Sequence, residues 1–457
     1  MDEKTQPIGL RALIGLAVPL AAVQLGHNLL GTVDLAVVGR LGAAELAGVG
    51  LGAQICFITT VVGFGVMLGL DPLVSQALGS QQPEKARAWH WQGVWLTVVV
   101  TVPTLALAYF AAHATVWLDV EPEVALSTRD YLLARMPGMI FFLGLAGHRS
   151  YLQAIHCTRP LVVGMVVANV LNLPISWCLV FGDAGLQQMG IPSFGIPALG
   201  SAGAGYASSI ASLILYAIAT AAMMRLPAPA GHYPRRPSLP QIRQVLKIGI
   251  PIGATILAEA GIFTVVAIAA GTFGARELAA HNLALSFATL SFQVVSAIGA
   301  ATCVLVGNAV GRHDPTDVVL SSKRGLVIGL LMTSLAAAFF IAIPESLGAL
   351  LTDDMEVIRA TVPLLMVAAA FQWFDGAQVI AAGALRGLGD TQYPLWANVI
   401  GHYAIGFPIG SVLAWGIGLE TTGLWIGLSA GLATVSVALA MRLRRIAHSP
   451  LEELSLE

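Results

Sequence analysis

Apolar runs of twenty or more residues, separated by short charged segments, dominate this 457-residue chain and leave it few ways to fold. A helix needs about 20 apolar residues to cross a hydrocarbon core about 30 Å thick. In that core each peptide group must find its hydrogen bond without water, and a helix does so within its own segment. Barrel strands would instead alternate apolar and polar residues over about ten positions, which these runs do not. Composition points the same way. Hydrophobic residues make up 56% and charged residues 11%, against about 25% charged in soluble domains, so the chain cannot cover a water-facing surface. Disorder is excluded by the same numbers. A net charge of -2 with no Lys/Arg-rich block argues against nucleic-acid binding, whose footprint is basic.

Read from charge to charge, the chain is expected to cross the membrane twelve times, at about 13–38, 47–72, 90–113, 133–155, 160–182, 201–224, 245–270, 278–304, 325–347, 360–386, 393–416 and 421–441. The N-terminus carries Asp2, Glu3 and Lys4, unlike the basic start of a secretory signal, so the first apolar segment counts as a span. With both termini cytoplasmic, eighteen of the 23 Lys and Arg residues fall on the inner side, and Arg40, Arg129, Arg135, Arg276 and Arg359 fall outside. That bias is the positive-inside signature, and a wrong span count would scramble it. Cys56, Cys157, Cys178 and Cys303 have neither zinc-ligand nor redox spacing and read as inert membrane residues.

Between the sixth and seventh spans, residues 226–243 carry Pro227, Pro229, Pro234, Pro237 and Pro240, a composition expected to behave as an extended linker. It divides the chain into residues 1–225 and 244–457, and these halves repeat each other. A shift of 232 sets Pro19 on Pro251, Gly42 on Gly274, Glu45 on Glu277, Gly79 on Gly311 and Pro83 on Pro315. Two residues more, it sets Pro160 on Pro394 and Pro174 on Pro408. Six spans per half is an even number, so both copies enter the membrane in the same sense. The expected fold is an all-α membrane protein of two pseudo-symmetric six-helix bundles, and parallel repeats of this kind flank a transport pathway near the bilayer midplane.

Three acids interrupt otherwise apolar helices: Asp34 in span one, Glu259 in span seven and Asp375 in span ten. A charge at bilayer depth costs about 2.5–3.5 kcal/mol on insertion scales, so such groups face a cavity, a partner or an ion. None has Arg or Lys at the same depth in its own helix, which suits them to take up a proton or a metal cation. The competing reading of each is a protonated acid hydrogen-bonded between helices. Under the repeat, Glu259 falls on His27, with Gln24 and Asn28 beside it. His27 is either a proton-carrying group or an interhelical hydrogen-bonding one. Asp71, next to Pro72, is a weaker candidate with a structural alternative. Asn172 precedes Pro174 in span five and can coordinate a cation or bridge helices. Phe263, Phe287, Phe292, Phe371, Trp373 and Phe374 lie near the acids in sequence and include rings able to wrap flat cations, packing being their other use.

Catalytic patterns are nearly absent. Gly427-Leu428-Ser429-Ala430-Gly431 matches the nucleophile-elbow string but lies in span twelve rather than on a strand-to-helix turn. There is no Gly-Lys-Ser/Thr phosphate loop, so transport driven by ATP within this chain is not expected.

The whole pattern resembles a known family. Thr32-Val33-Asp34 with Gly39-Arg40-Leu41-Gly42, then Ser75-Gln76-Ala77-Leu78-Gly79, Glu259, Asp375 and Leu385-Arg386-Gly387-Leu388-Gly389-Asp390-Thr391, set in two parallel six-span halves, are similar to the multidrug and toxic compound extrusion (MATE) transporters, and above all to their bacterial NorM-like branch. The resemblance implies a monomeric antiporter of a bacterial inner membrane. It would export amphipathic, often cationic drugs through a cavity between two lobes, without a cofactor, coupled to Na+ or H+. It makes Glu259 and Asp375 the C-lobe cation-site acids, Asp34 the N-lobe acid and Asn172 its polar neighbour. Phe371 stands where the family often has tyrosine, and Ser176 where it has a second asparagine, which leaves the ion open. A lipid or lipid-linked oligosaccharide flippase of the same superfamily is the alternative, although an anionic pyrophosphate substrate calls for basic groups where this sequence offers acids.

Overall fold

The computed structural model describes residues 9–117, 120–188, 190 and 192–447, and among them there is no strand. The termini, expected to be cytoplasmic, lie outside the described residues. Twelve long helices follow one another among the described residues: α1 (Leu10–Val38), α2 (Ala43–Gly79, with a turn at Gly69), α3 (Pro83–Ala114), α4 (Pro122–Ala154), α5 (Arg159–Phe181), α6 (Ser201–Arg225), α7 (Leu239–Gly271), α8 (Ala275–Gly311), α9 (Pro315–Ala342), α10 (Met355–Gly387), α11 (Gln392–Gly416) and α12 (Glu420–Ala447). Eleven of them are long and apolar enough to cross a membrane. The twelfth, α4, has 33 residues, about 50 Å at 1.5 Å per residue. It carries Arg129, Asp130, Arg135 and Arg149, and it is shielded by packing against α2, α3 and α6.

Helix starts follow local chemistry. Asp314 caps α9 by accepting from Asp317 N, and Asp354 caps α10 by accepting from Glu356 N and Val357 N. Pro83, Pro122, Pro160 and Pro315 sit in first turns, where a missing N–H costs nothing. Pro408 lies inside α11, which relaxes into wider π-type turns over Ile400–Gly406 and Val412–Gly416, whereas α5 stays α-helical through Pro174. The Gly427–Gly431 string packs against Gly401 and Gly406 of α11; a Cβ on Gly431 would stand 2.8 Å from Gly401 O.

The repeat is visible in the packing. In one half α4 lies against α2, α3 and α6, and α5 lies against α6; in the other α10 lies against α8, α9 and α12, and α11 lies against α12. Gln81 and His313, 232 residues apart, both adopt left-handed backbone, with φ of 57° and 54°. Apolar side chains such as Phe110, Val170, Ile268 and Leu331 remain exposed, as expected of surface that meets lipid rather than water.

Division at the linker alone does not describe the compact units. Among the described residues, one unit holds Ala22–Leu70 and Pro83–Gly253; the other holds residues 9–21, Asp71–Gln82 and residues 254–447. We call them the N-unit and the C-unit. The cut in α1 after Ala21 and the cut in α7 after Gly253 are 232 residues apart, so each half gives up the leading part of its first helix at the same repeat position. Side-chain burial gives the reason. Leu13, Leu16, Ala17 and Leu20 share a core with Val295, Ile298, Val304 and Ile380, while the start of α7 lies close on α2 through small residues. A Cβ on Gly253 would stand 2.6 Å from Val62 O and 3.0 Å from Val62 Cα. Gly253→Val should therefore force these helices apart, with an overpacking cost of about 1–3 kcal/mol. A lowered melting temperature and loss of monodisperse protein in detergent would report it, and an unchanged melt would refute the contact.

The linker is less loose than its prolines suggest. Gln92 of α3, fully buried, donates to Arg236 O (3.0 Å) and accepts from Ser238 N (2.8 Å), and Trp95 Nε1 donates to Arg235 O (2.8 Å). On the other side of the sequence, Asp183, just past α5, accepts from the backbone N–H groups of Phe194, Gly195 and Ile196 at 2.9–3.0 Å. Those hydrogen bonds, the ones from Ile196 and Phe194 foremost, hold its carboxyl below the usual carboxylate range and pin the loop before α6.

Candidate functional site

The C-unit sets two of the expected acids within electrostatic reach of each other. Asp375, buried in α10, is near enough to Glu259 of α7 for the two charges to interact. Like charges in a low-dielectric site repel, and a bound cation relieves that repulsion. Among the described residues neither acid is paired with arginine or lysine. Glu259 Oε1 instead accepts from Gln378 Nε2 at 2.5 Å, and the same nitrogen lies 3.4 Å from Asn398 Oδ1 of α11. Asn398 Nδ2 donates in turn to Pro394 O at 3.1 Å. One turn from Asp375, Phe371 meets Phe263 edge-on (6.2 Å between centroids) in an apolar cluster that also takes in Phe374, and it touches Trp425 (6.0 Å) of an adjoining cluster. The site is thus two carboxylates and two amides set in a hydrophobic wall.

The N-unit surrounds its single acid with donors. Asp34 is 1% exposed and accepts from Ser208 Oγ of α6 (2.5 Å), Tyr131 OH of α4 (3.4 Å) and Asn172 Nδ2 of α5 (3.5 Å). Asn172 and Ser176 are both fully buried, and Asn172 Oδ1 and Ser176 Oγ have no hydrogen-bond partner among the described residues. Asp34 has no Arg or Lys at its depth in its own helix, but a neighbouring helix supplies one, so it does not stand without a basic partner. Arg135 of α4 interacts electrostatically with Asp34 and donates through Nη1 to Ser208 O (3.3 Å) and Ser212 Oγ (3.2 Å). The span expected at 133–155 is the later part of α4, which starts eleven residues earlier, and Arg135 lies within that helix against α6.

Other candidates scatter. His27 packs edge-on against Phe142 (5.6 Å), with Arg135 and Arg149 as its charged neighbours. Gln24 and Asn28 lie within one turn of it, and Thr32 Oγ1 donates to Asn28 O at 3.0 Å. Phe287 joins a different core cluster, with Ala337, Phe340 and Leu364, apart from Phe263 and Phe371. Phe292 is half-buried, and Trp373 is exposed, donating to Ser334 Oγ at 3.0 Å. Asp71 feels the charge of Arg386 inside the C-unit, which fits its structural alternative. No cluster of three or more His, Cys, Asp or Glu able to hold a metal occurs among the described residues.

Sequence reasoning missed Gln378, Asn398, Ser208, Tyr131 and Arg135. Gln378 carried a readable signal, because a residue three positions after Asp375 leaves the same helix face. The hydroxyls did not, since Ser and Thr in membrane helices mostly bond their own backbone, as Thr264 does to Ala260 O.

Long apolar helices in two parallel repeats, each with buried carboxylates at its polar centre, define a secondary transporter rather than an enzyme, set in the inner membrane as a multi-pass protein. The chain belongs to the MatE family, whose model matches residues 19–178 and again 251–412, once in each repeat. It is 34% identical to "Probable multidrug resistance protein NorM" of Bradyrhizobium diazoefficiens, covering 95% of this chain and 92% of that one. It is 32% identical to the protein of the same description from Mesorhizobium japonicum, covering 96% and 95%. Its fold is that of a eukaryotic MATE transporter, AtDTX14 (TM-score 0.83, 21% identity, 97% and 98% covered). It is also that of a MOP-superfamily transporter from Pyrococcus furiosus described as having a binding pocket of reversed polarity (TM-score 0.83, 15% identity, 98% and 99% covered).

Proposed function

We propose that this protein is a multidrug efflux antiporter that exports amphipathic, often cationic drugs and dyes in exchange for Na+ or H+, with both chain ends in the cytoplasm. The observation that carries the reading is the Glu259–Asp375 pair, two acids in an apolar unit whose polar contact is an amide and not a base. Asp34 and Asn172 form the second cation-responsive group, and His27, Gln24, Asn28, Phe263 and Phe292 are the remaining candidates for drug contact. NorM relatives described as multidrug resistance proteins match nearly the whole chain, which supports the substrate class. A cation entering from outside neutralises the carboxylates and favours the state that binds a positively charged drug weakly. Drug binding from inside expels the cation, because the coupling between two ligands is reciprocal. Neither ligand needs to touch the other, only to bind the two states unequally.

The flippase reading draws on the Pyrococcus protein, since a shared fold with reversed pocket polarity shows that fold alone does not fix the substrate. Acids at Glu259 and Asp375 disfavour an anionic pyrophosphate. The deciding experiment is ethidium export from loaded cells with and without external sodium, at two external pH values. Export that accelerates with an inward sodium or proton gradient and stops when both are collapsed is expected. Export indifferent to both gradients would overturn the proposal.

A further inference from the structure

We infer that the amide oxygen of Gln378 is a ligand of the coupling cation and biases the C-unit site toward a metal cation, sodium, over the proton; this rests on the transport reading above. Gln378 lies three residues after Asp375 on α10, so both side chains leave the same face of the helix. Its nitrogen is committed twice, to Glu259 Oε1 at 2.5 Å and to Asn398 Oδ1 at 3.4 Å. The second contact is oriented from behind. Asn398 Nδ2 donates to Pro394 O, which turns Asn398 Oδ1 toward Gln378 and makes an NH2 group, not an oxygen, the complementary atom there. The orientation of the Gln378 amide is therefore set by its contacts with the Glu259 carboxyl on one side and a fixed amide oxygen on the other.

What remains is Gln378 Oε1. The residue is 3% exposed and this oxygen has no hydrogen-bond partner among the described residues. It is attached to the same carbon as the nitrogen that touches Glu259, so it stands close to the Glu259 carboxyl, on the helix face that Asp375 shares. Buried acceptors are normally satisfied, and one left bare beside a functional group asks for an explanation. A hard metal cation gathers oxygen ligands of both kinds, charged carboxylates and neutral carbonyls. Glu259, Asp375 and Gln378 offer that combination, two negative oxygens to balance charge and a neutral one to complete the shell. A proton needs a single carboxylate oxygen and would give Gln378 Oε1 a partner only as a hydroxyl on Glu259 or Asp375 turned that way, whereas a metal cation takes this oxygen and both acids at once.

The test is binding of radioactive sodium to the purified full-length protein in lipid nanodiscs, at alkaline pH and with acid as competitor. The intact protein, Gln378→Leu and Gln378→Glu are compared after each is checked for monodispersity and melting temperature. The intact protein should bind sodium and release it on acidification. Gln378→Leu, which deletes the oxygen, should weaken sodium binding at least about tenfold, the usual scale for disturbing a metal site's ligand set. Gln378→Glu, which keeps an oxygen and adds charge, should bind sodium at alkaline pH at least as tightly as the intact protein and, because a third carboxylate raises the site's proton affinity, release it at a higher pH. Equal sodium affinity in intact protein and Gln378→Leu overturns the inference. So does an intact protein that binds no sodium while its pH-driven export still requires Glu259 and Asp375, an outcome that leaves the antiporter reading standing. Should Gln378→Leu fail to fold, Gln378→Glu decides, and sodium binding weaker than in the intact protein overturns the inference.

Discussion

Glu259→Gln and Asp375→Asn are each expected to cut gradient-driven ethidium export by on the order of 100-fold, to the level of cells lacking the transporter, while the protein still inserts and purifies normally. The amides keep the size of the carboxylates and remove the charge, and charge is what cation and drug exchange over. The fold should survive because neither acid holds a buried arginine or lysine that would be left uncompensated, the situation that makes breaking a buried pair so destabilising. At position 259 the new amide can still accept from Gln378 Nε2 and can donate to Gln378 Oε1, so the local hydrogen bonding is kept or improved. Export in proteoliposomes with an imposed sodium or pH gradient, set beside the melting temperature of each variant, separates loss of coupling from loss of structure. Gradient-driven export at the unaltered rate by either variant would remove that acid from the mechanism.

How much of this was readable in the chain depends on the range of the interaction concerned. Span number, the parallel repeat and the polar centre of each half rest on local hydropathy and on a fixed offset. They reappear as twelve long helices, as matching helix pairings within each unit, and as Gln81 and His313 bending alike. Glu259 and Asp375 were legible for the same reason, since an acid inside an apolar run is conspicuous without any partner. Contacts between elements distant in sequence were not. Nothing in the run around Leu13 and Leu16 says that they join the core of Val295 and Ile380. The prolines of the linker predict extension but not that Gln92 and Trp95 would tie it to α3. Arg135 was visible at the start of the fourth span, but its ties to Ser208 O, Ser212 Oγ and Asp34 join helices far apart in sequence and leave no local trace.

Arg135→Met is expected to be among the most destabilising single changes in the N-unit, by about 2–3 kcal/mol, because it leaves the charge of buried Asp34 without its cationic neighbour and strips donors from Ser208 O and Ser212 Oγ. Asp34→Asn should also destabilise, though less. Ser208 Oγ, Tyr131 OH and Asn172 Nδ2 all donate to a carboxylate that can only accept, and the new NH2 group must face one of those donors. Both changes together remove acid and base at once, so the double variant should be more stable than the sum of the two losses by about 1–2 kcal/mol. Transport should divide differently. Asp34→Asn and the double variant should both fail to export ethidium, since restoring electrostatic balance does not restore a group that a cation can neutralise. Thermal melts of the four proteins measure the coupling, and export assays on the same samples measure function. Strictly additive melts would mean that Arg135 and Asp34 are not partners. Full export by the double variant would mean that the N-unit acid serves the fold alone and that coupling resides in Glu259 and Asp375.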